Sequence, residues 1–109
     1  MPTIQEFLDL DLRVGRIVEV EDHATARKPM YKLTIDLGPE LGRRTLVAGI
    51  KGFYTRDELL GRKIIVVANL EPKSIAGIVS QGMLLAADLG EGMSILSPDK
   101  DVPEGAKVH

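Results

Sequence analysis

The sequence predicts one small all-β barrel, and three observations carry that expectation. Tyr31, Leu33, Ile35 and Leu37 alternate strictly with Lys32, Thr34 and Asp36, the pattern of a strand with one buried and one wet face. Ile64 to Ala68 is an unbroken apolar run, and the turn-forming stretches Gly38 to Gly42 and Glu71 to Gln81 separate short β-favouring segments. With 109 residues, 44% of them hydrophobic, the chain suits a single domain spanning 1–109 that buries roughly 65% of its unfolded surface.

At the N-terminus, Thr3 and Glu6 have capping-box spacing, and Ile4, Phe7 and Leu8 follow at helical intervals, which predicts a short helix. Val14, Val18 and Val20 then share one face of an extended segment. Arg16 has the same parity, Ile17 the opposite one, and Gly15 marks a bend. Asp22 to Pro29 lacks periodicity, and Pro29 drives Lys28 to extended geometry, so Arg27 and Lys28 are expected on a loop as a positive rim. The alternating strand from Tyr31 pairs through the Gly38–Gly42 turn with Thr45 to Ile50. A second capping box, Thr55 and Glu58, starts a short helix that Leu59 and Leu60 anchor and Gly61 stops. Lys63 to Leu70 is expected to be the most buried strand, and Gly82 to Ala87 the fifth. Ile95, Leu96, Val102 and Val108 are widely spaced in the Gly-, Pro- and acid-rich stretch from Asp88 to His109, which reads as an extended C-terminal arm packed on its own barrel or on a second subunit. Five strands with an inserted helix in this order are compatible with a barrel of the oligonucleotide-binding class.

Composition narrows the chemistry. The chain has no cysteine and two histidines, so disulfides, thiolate metal sites and thiol nucleophiles are excluded and imidazole chemistry is scarce. No catalytic set, metal site or cofactor is expected. No apolar stretch approaches a membrane span, and the acidic start, with Glu6, Asp9 and Asp11, does not resemble a targeting signal, so a cytoplasmic protein is expected. The formal net charge of −2 hides an asymmetry: residues 13–73 hold 12 of the 14 basic residues against eight acids, and the two ends hold two basic residues and eight acids. A basic middle suits phosphate contacts, although interspersed charges of both signs also describe a solvated surface.

No phosphate-binding glycine loop, paired-histidine helix motif or nucleophile elbow occurs in the chain. His23 and His109 lack an evident orienting carboxylate and read as polar side chains facing water, and Phe7 and Phe53 read as core. The informative stretch is Asn69 to Met83, NLEPKSIAGIVSQGM, where Lys73, Ser80, Gln81 and Met83 gather ammonium, hydroxyl, amide and thioether on a strand exit and return. Two readings of it stand side by side. One is a recognition set; in the other Gly82 permits a bulge, Met83 fills core and Asn69 caps a turn.

Three segments, LDLRVGRIVEVEDHATARKPMYKLTIDLG, VAGIKGFYTRDELLGRKIIVVANLEPKSIAGIVSQGMLLAAD and ILSPDKDVPEGAKV, resemble one family along nearly the whole chain. That family is the tRNA-binding domain appended to or associated with methionyl-tRNA synthetase. The resemblance is greatest to its free-standing archaeal form, the synthetase β subunit, which is similar to bacterial structure-specific tRNA-binding proteins. It implies an oligonucleotide-binding fold and a homodimer whose contacts involve the extensions 1–12 and 88–109. It also implies non-catalytic binding to the outer corner of tRNA, with a synthetase catalytic chain as a further partner. Family contacts carry over to Asn69, Ser80 and Met83, with Arg27, Lys28 and Lys32 alongside. The ARKPMYKL segment also resembles CsaA, a related dimeric chaperone family on the same scaffold, so a protein-binding role is the alternative.

Overall fold

A computed structural model describes residues 1–109. In chain order the elements are α1 (Ile4–Leu8), β1 (Leu12–Asp22), β2 (Tyr31–Asp36), α2 (Gly38–Leu41), β3 (Arg43–Ala48), α3 (Arg56–Leu59), β4 (Lys63–Val67), β5 (Lys73–Ile75), β6 (Ile78–Ser80), β7 (Met83–Leu84), β8 (Ala86–Asp88), β9 (Met93–Ile95) and β10 (Lys107–Val108). Antiparallel pairing runs β3-β2-β1-β4-β7, a nearly closed five-stranded barrel of the expected class, with β10 added to β1. No helix is long and apolar enough to cross a membrane.

Both capping boxes form as the sequence predicts. In α1 the Thr3 Oγ1 accepts from Glu6 N at 3.1 Å while Glu6 Oε1 accepts from Thr3 N at 3.0 Å. Thr55 and Glu58 do the same at the start of α3. The alternation of β2 is realised: Tyr31, Leu33 and Ile35 point into the core and Lys32, Thr34 and Asp36 outward. The expected turn after it is a single helical turn, α2, closed by the bond from Leu37 N to Gly42 O at 2.9 Å.

The strand β1 departs from simple parity. Its pairing with β2 shifts between Ile17 and Glu19, so Val18 is the extra residue of a bulge, and Ile17 and Val20 join the core while Val14, also buried, lies outside that cluster with Leu12 and Arg13. A period-two reading cannot anticipate this, because one inserted residue exchanges the two faces of everything beyond it. β1 is also the central strand, flanked by β2, β4 and β10, whereas Ile65 in the middle of β4 remains partly exposed. The expectation that Lys63 to Leu70 is the most buried strand nevertheless holds for β4 itself, which has no exposed residue, while β1 exposes Glu19, Glu21 and Asp22; Asn69 and Leu70, beyond the end of β4, are exposed.

The core is built from Ile17, Val20, Leu33, Ile35, Leu37, Leu46, Ile64 and Val66, with Ile95 of β9 closing one side. Phe7 and Phe53, expected in this core, are outside it, 44% and 55% exposed, since α1 packs beyond the barrel and Phe53 lies on the surface over Gly92. The stretch from Asp88 onward lies on its own barrel. Val14 N donates to Ala106 O at 2.9 Å and Gly105 N to Val14 O at 2.7 Å, and Arg16 pairs with Glu104 at 3.0 Å. Gly38 and Gly105 are required where this segment crosses α2: a Cβ on Gly105 would meet Leu37 O at 2.6 Å.

Candidate nucleic-acid interface

The stretch from Glu71 to Gln81, expected to be a loop, is a hairpin. Lys73 pairs with Ser80 and Ile75 with Ile78 around a two-residue turn, Ala76–Gly77, in which both residues have positive φ, 49° and 90°. That is the mirror-image turn whose twist matches paired strands, and it usually has Asn or Asp where this chain has Ala76. With Ala there, neither face of the hairpin announces itself in the sequence.

The hairpin packs across the outside of β3 through side chains from its second strand and exit. Ser80 Oγ accepts from Val47 N at 3.0 Å and contacts Gly82 O at 3.2 Å. Gln81 Oε1 accepts from Thr45 N at 3.0 Å while Gln81 N donates to Thr45 O at 2.8 Å. These bonds occupy polar groups on the β3 edge that would otherwise lack partners. Gly82 follows with φ 141°; a Cβ there would sit 2.9 Å from Val67 O, so this crossing needs glycine.

Between the hairpin and the barrel lies a groove of about 580 Å³, whose lining includes Val47, Leu70, Lys73, Ile75, Ser80 and Met83. Met83 is 50% exposed on it and does not fill core, and Lys73 is exposed at its rim. Ile75 and Ala76 also line a neighbouring cleft of about 410 Å³ with Arg27 and Lys28. Lys32 stands opposite Val47 across the β2–β3 pair, on the outer face, with its Nζ 3.9 Å from Glu21. An apolar trough results with four cations around it and Glu71 on its lining; cations at such an edge can hold phosphates, and an apolar floor can meet base faces.

Not every residue singled out in the sequence is free to bind. Ser80 is only 4% exposed, and its hydroxyl is engaged within the fold. Asn69 lies at the β4 exit as expected, but its Nδ2 donates to Asp9 O at 2.7 Å and its Oδ1 accepts from Asp11 N at 2.8 Å, tying α1 to the barrel. Gln81 uses its carbonyl oxygen on Thr45. Lys73 and Met83 present side chains to the groove directly, with Arg27, Lys28 and Lys32 around it.

Sequence reasoning missed the apolar floor and one polar group. Val47 could have been found, being an outward-facing valine opposite Lys32 on a strand whose partner alternates strictly. His23, expected to face water, is only 5% exposed, with its Nε2 2.8 Å from Ile75 O. No group of three or more His, Cys, Asp or Glu side chains lies together in a way that could hold a metal ion.

Residues 12–107 match the model of the family described as "Putative tRNA binding domain". The chain is 56% identical over 107 residues to a methionine–tRNA ligase of Pyrococcus furiosus, covering 98% of this chain and 14% of the ligase. Among solved structures, the CsaA chaperone protein of Picrophilus torridus superposes over the full length of both chains with a TM-score of 0.94 and 41% identity. A MetRS-related protein of Pyrococcus horikoshii covers 100% of this chain and 98% of that chain with a TM-score of 0.89 and 34% identity.

Proposed function

Because the chain belongs to the tRNA-binding domain family, we propose that it binds tRNA by shape, without catalysis, as an accessory to methionyl-tRNA synthetase in the cytoplasm. The observation that carries this reading is the groove, where Lys73 and Met83 share one trough and Arg27 and Lys28 line the next across Ile75. Lysine and arginine hold phosphates, which fixes register without reading sequence, and Met83 lies against unstacked bases. Held near a synthetase, such a module raises the local concentration of tRNA and needs no chemistry of its own. Ser80 serves this site by holding the hairpin wall against β3, and Asn69 fixes α1 to the barrel at the β4 exit.

A symmetric homodimer is part of the proposal. Ile4, Phe7, Leu8 and Leu10 at one end and Leu89 and Leu96 at the other are exposed apolar side chains on the segments outside the barrel strands, and a small domain gains stability by covering such groups with a second copy. Light scattering at micromolar concentration is expected to give twice the 11.9 kDa chain mass; a monomer would refute the dimer.

The test of function is fluorescence anisotropy with labelled full-length tRNA, an anticodon hairpin and single-stranded RNA of matched charge, over a salt series. Intact tRNA is expected to bind best. Lys73→Glu is expected to weaken all tRNAs about equally, roughly tenfold, and to flatten the salt slope by about 1 to 2, since one favourable phosphate contact becomes repulsive. Equal weak binding of all three RNAs, or an unaffected Lys73→Glu protein, would refute the reading. The full-length match to a CsaA chaperone supports a second reading, binding of unfolded protein segments, and suppression of client aggregation that tRNA does not compete with would establish it.

A further inference from the structure

Two parts of the proposed interface come from separate pieces of chain. Arg27 and Lys28 stand on the loop between β1 and β2, and Lys73 stands on the β5–β6 hairpin. That hairpin is a two-stranded sheet of its own, hydrogen-bonded to no other strand through its backbone ladder. Its root is stitched to β3 by Ser80 and Gln81. Its tip at Ala76, three residues beyond Lys73, which pairs with Ser80, stands roughly 10 Å from that root at the rise of an extended chain, and small rotations there would displace the groove wall.

The tip is held by two side chains, His23 and Thr25. His23 Nε2 lies 2.8 Å from Ile75 O, which fixes the tautomer: Nε2 carries the proton and donates it to the carbonyl. Thr25 Oγ1 donates to Ala76 O at 3.0 Å and lies 3.4 Å from His23 Nδ1. The same His23 closes the base of the basic loop, its N donating to Met30 O at 3.0 Å and its O accepting from Ala26 N at 3.3 Å. One buried residue is thus the root of the cationic loop and an anchor of the hairpin tip, and beyond the His23 and Thr25 contacts no side-chain hydrogen bond joins the two.

We propose that His23 and Thr25 form a clamp that positions the Arg27/Lys28 loop and the Lys73/Met83 groove as one rigid surface before tRNA arrives. This rests on the tRNA-binding reading above. The two residues are positioning residues and need not touch RNA: fixing two contact segments in advance removes an ordering cost that would otherwise oppose binding. Thr25 is exposed, so its hydroxyl can be removed without opening the core.

Three variants and two readouts test the clamp. Thr25→Val removes the hydroxyl at constant shape, Thr25→Ser keeps it, and His23→Phe removes both ring nitrogens. Amide hydrogen exchange at Ile75 and Ile78, the pair that closes the tip, read by NMR in the free protein, reports the tip without RNA. Anisotropy with full-length tRNA reports the surface. Thr25→Val and His23→Phe are expected to speed exchange at the tip and to weaken tRNA binding about three- to tenfold, with Thr25→Ser restoring both. In the parent protein the effects of Arg27→Ala and Lys73→Ala are expected to be non-additive, and in the Thr25→Val background additive. Unchanged tip exchange in both Thr25→Val and His23→Phe would overturn the clamp, as would a Thr25→Ser protein as weak as Thr25→Val. A parent protein without tRNA preference would refute the functional reading, and the exchange data would then still decide whether the clamp exists.

Discussion

Gly15 lies where β1 crosses β2 and β4, and replacing it with alanine puts a number on how tightly this barrel is closed. A Cβ there would stand 2.5 Å from Ile35 Cγ2 and 2.8 Å from Leu37 Cδ2, both on residues with no exposed surface. To regain ordinary contact at 3.4 Å those atoms must retreat by about 0.9 and 0.6 Å, inside a core packed as densely as an organic crystal. Overpacking of this kind costs about 1–3 kcal/mol. Removing a glycine returns about 0.4–1 kcal/mol by restricting the unfolded chain. The net expectation for Gly15→Ala is a loss of about 1–2 kcal/mol, a fall of roughly 5–10 °C in midpoint for a domain of this size. Thermal denaturation and urea titration measure it, with an unchanged urea m value showing that the same structure unfolds. The cause is isolated by Ile35→Ala, which removes the nearer clashing atom: in that background Gly15→Ala is expected to be neutral or stabilising, because the new methyl enters the space left behind. An unaltered midpoint in the single variant, or additive losses in the double variant, would refute the account of the crossing.

Ala76 occupies the left-handed region with φ 49°, where a Cβ costs about 1–2 kcal/mol. Ala76→Asn is therefore expected to stabilise the fold by about 0.5–1 kcal/mol, visible as a higher midpoint, with tRNA binding retained because the clamp uses the backbone carbonyl. Stability is expected to fall in acid through the C-terminal segment. Asp101, hydrogen-bonded to Lys63, and Glu104, held first by a backbone hydrogen bond and then by Arg16, are both kept below the ordinary carboxylate range. A carboxyl whose folded-state value is depressed adds stability that is fully present above its unfolded value and is lost as the pH falls through the folded one. Amide exchange along residues 101–106 should accordingly rise below about pH 4, and Lys63→Ala should diminish that dependence at Asp101; equal pH profiles for the two proteins would refute the pairing.

The fold was legible wherever local chemistry decided it. Both capping boxes, the β2 alternation and the glycine turn after α3 are short-range signals, each complete within a few residues. Legibility failed where one residue changed the register or where a turn carried an unfavoured amino acid. The bulge at Val18 inverts the parity of β1, and no residue type in VGRIVEV announces it. Ala76 at a turn position that favours Asn conceals the β5–β6 hairpin.

The interface shows a different limit. Asn69, Ser80 and Gln81 are polar and close in the chain, and the family resemblance points to Asn69 and Ser80 as contacts, yet the structure engages each of the three with a backbone group 33 to 60 residues away. Sequence proximity cannot distinguish a polar side chain that meets a ligand from one that satisfies a distant strand edge, since both need the same donor or acceptor. The distinction matters for experiment. Replacing Ser80 with a bulky acid would abolish binding on either account, because it would tear the hairpin from Val47 and bury a charge. Lys73 and Met83 are the discriminating positions: their side chains are exposed, they belong to the groove, and neither supplies a side-chain hydrogen bond to the fold. A loss of affinity at those two positions with an unchanged midpoint would locate the ligand, whereas a loss at Ser80 would locate only the wall.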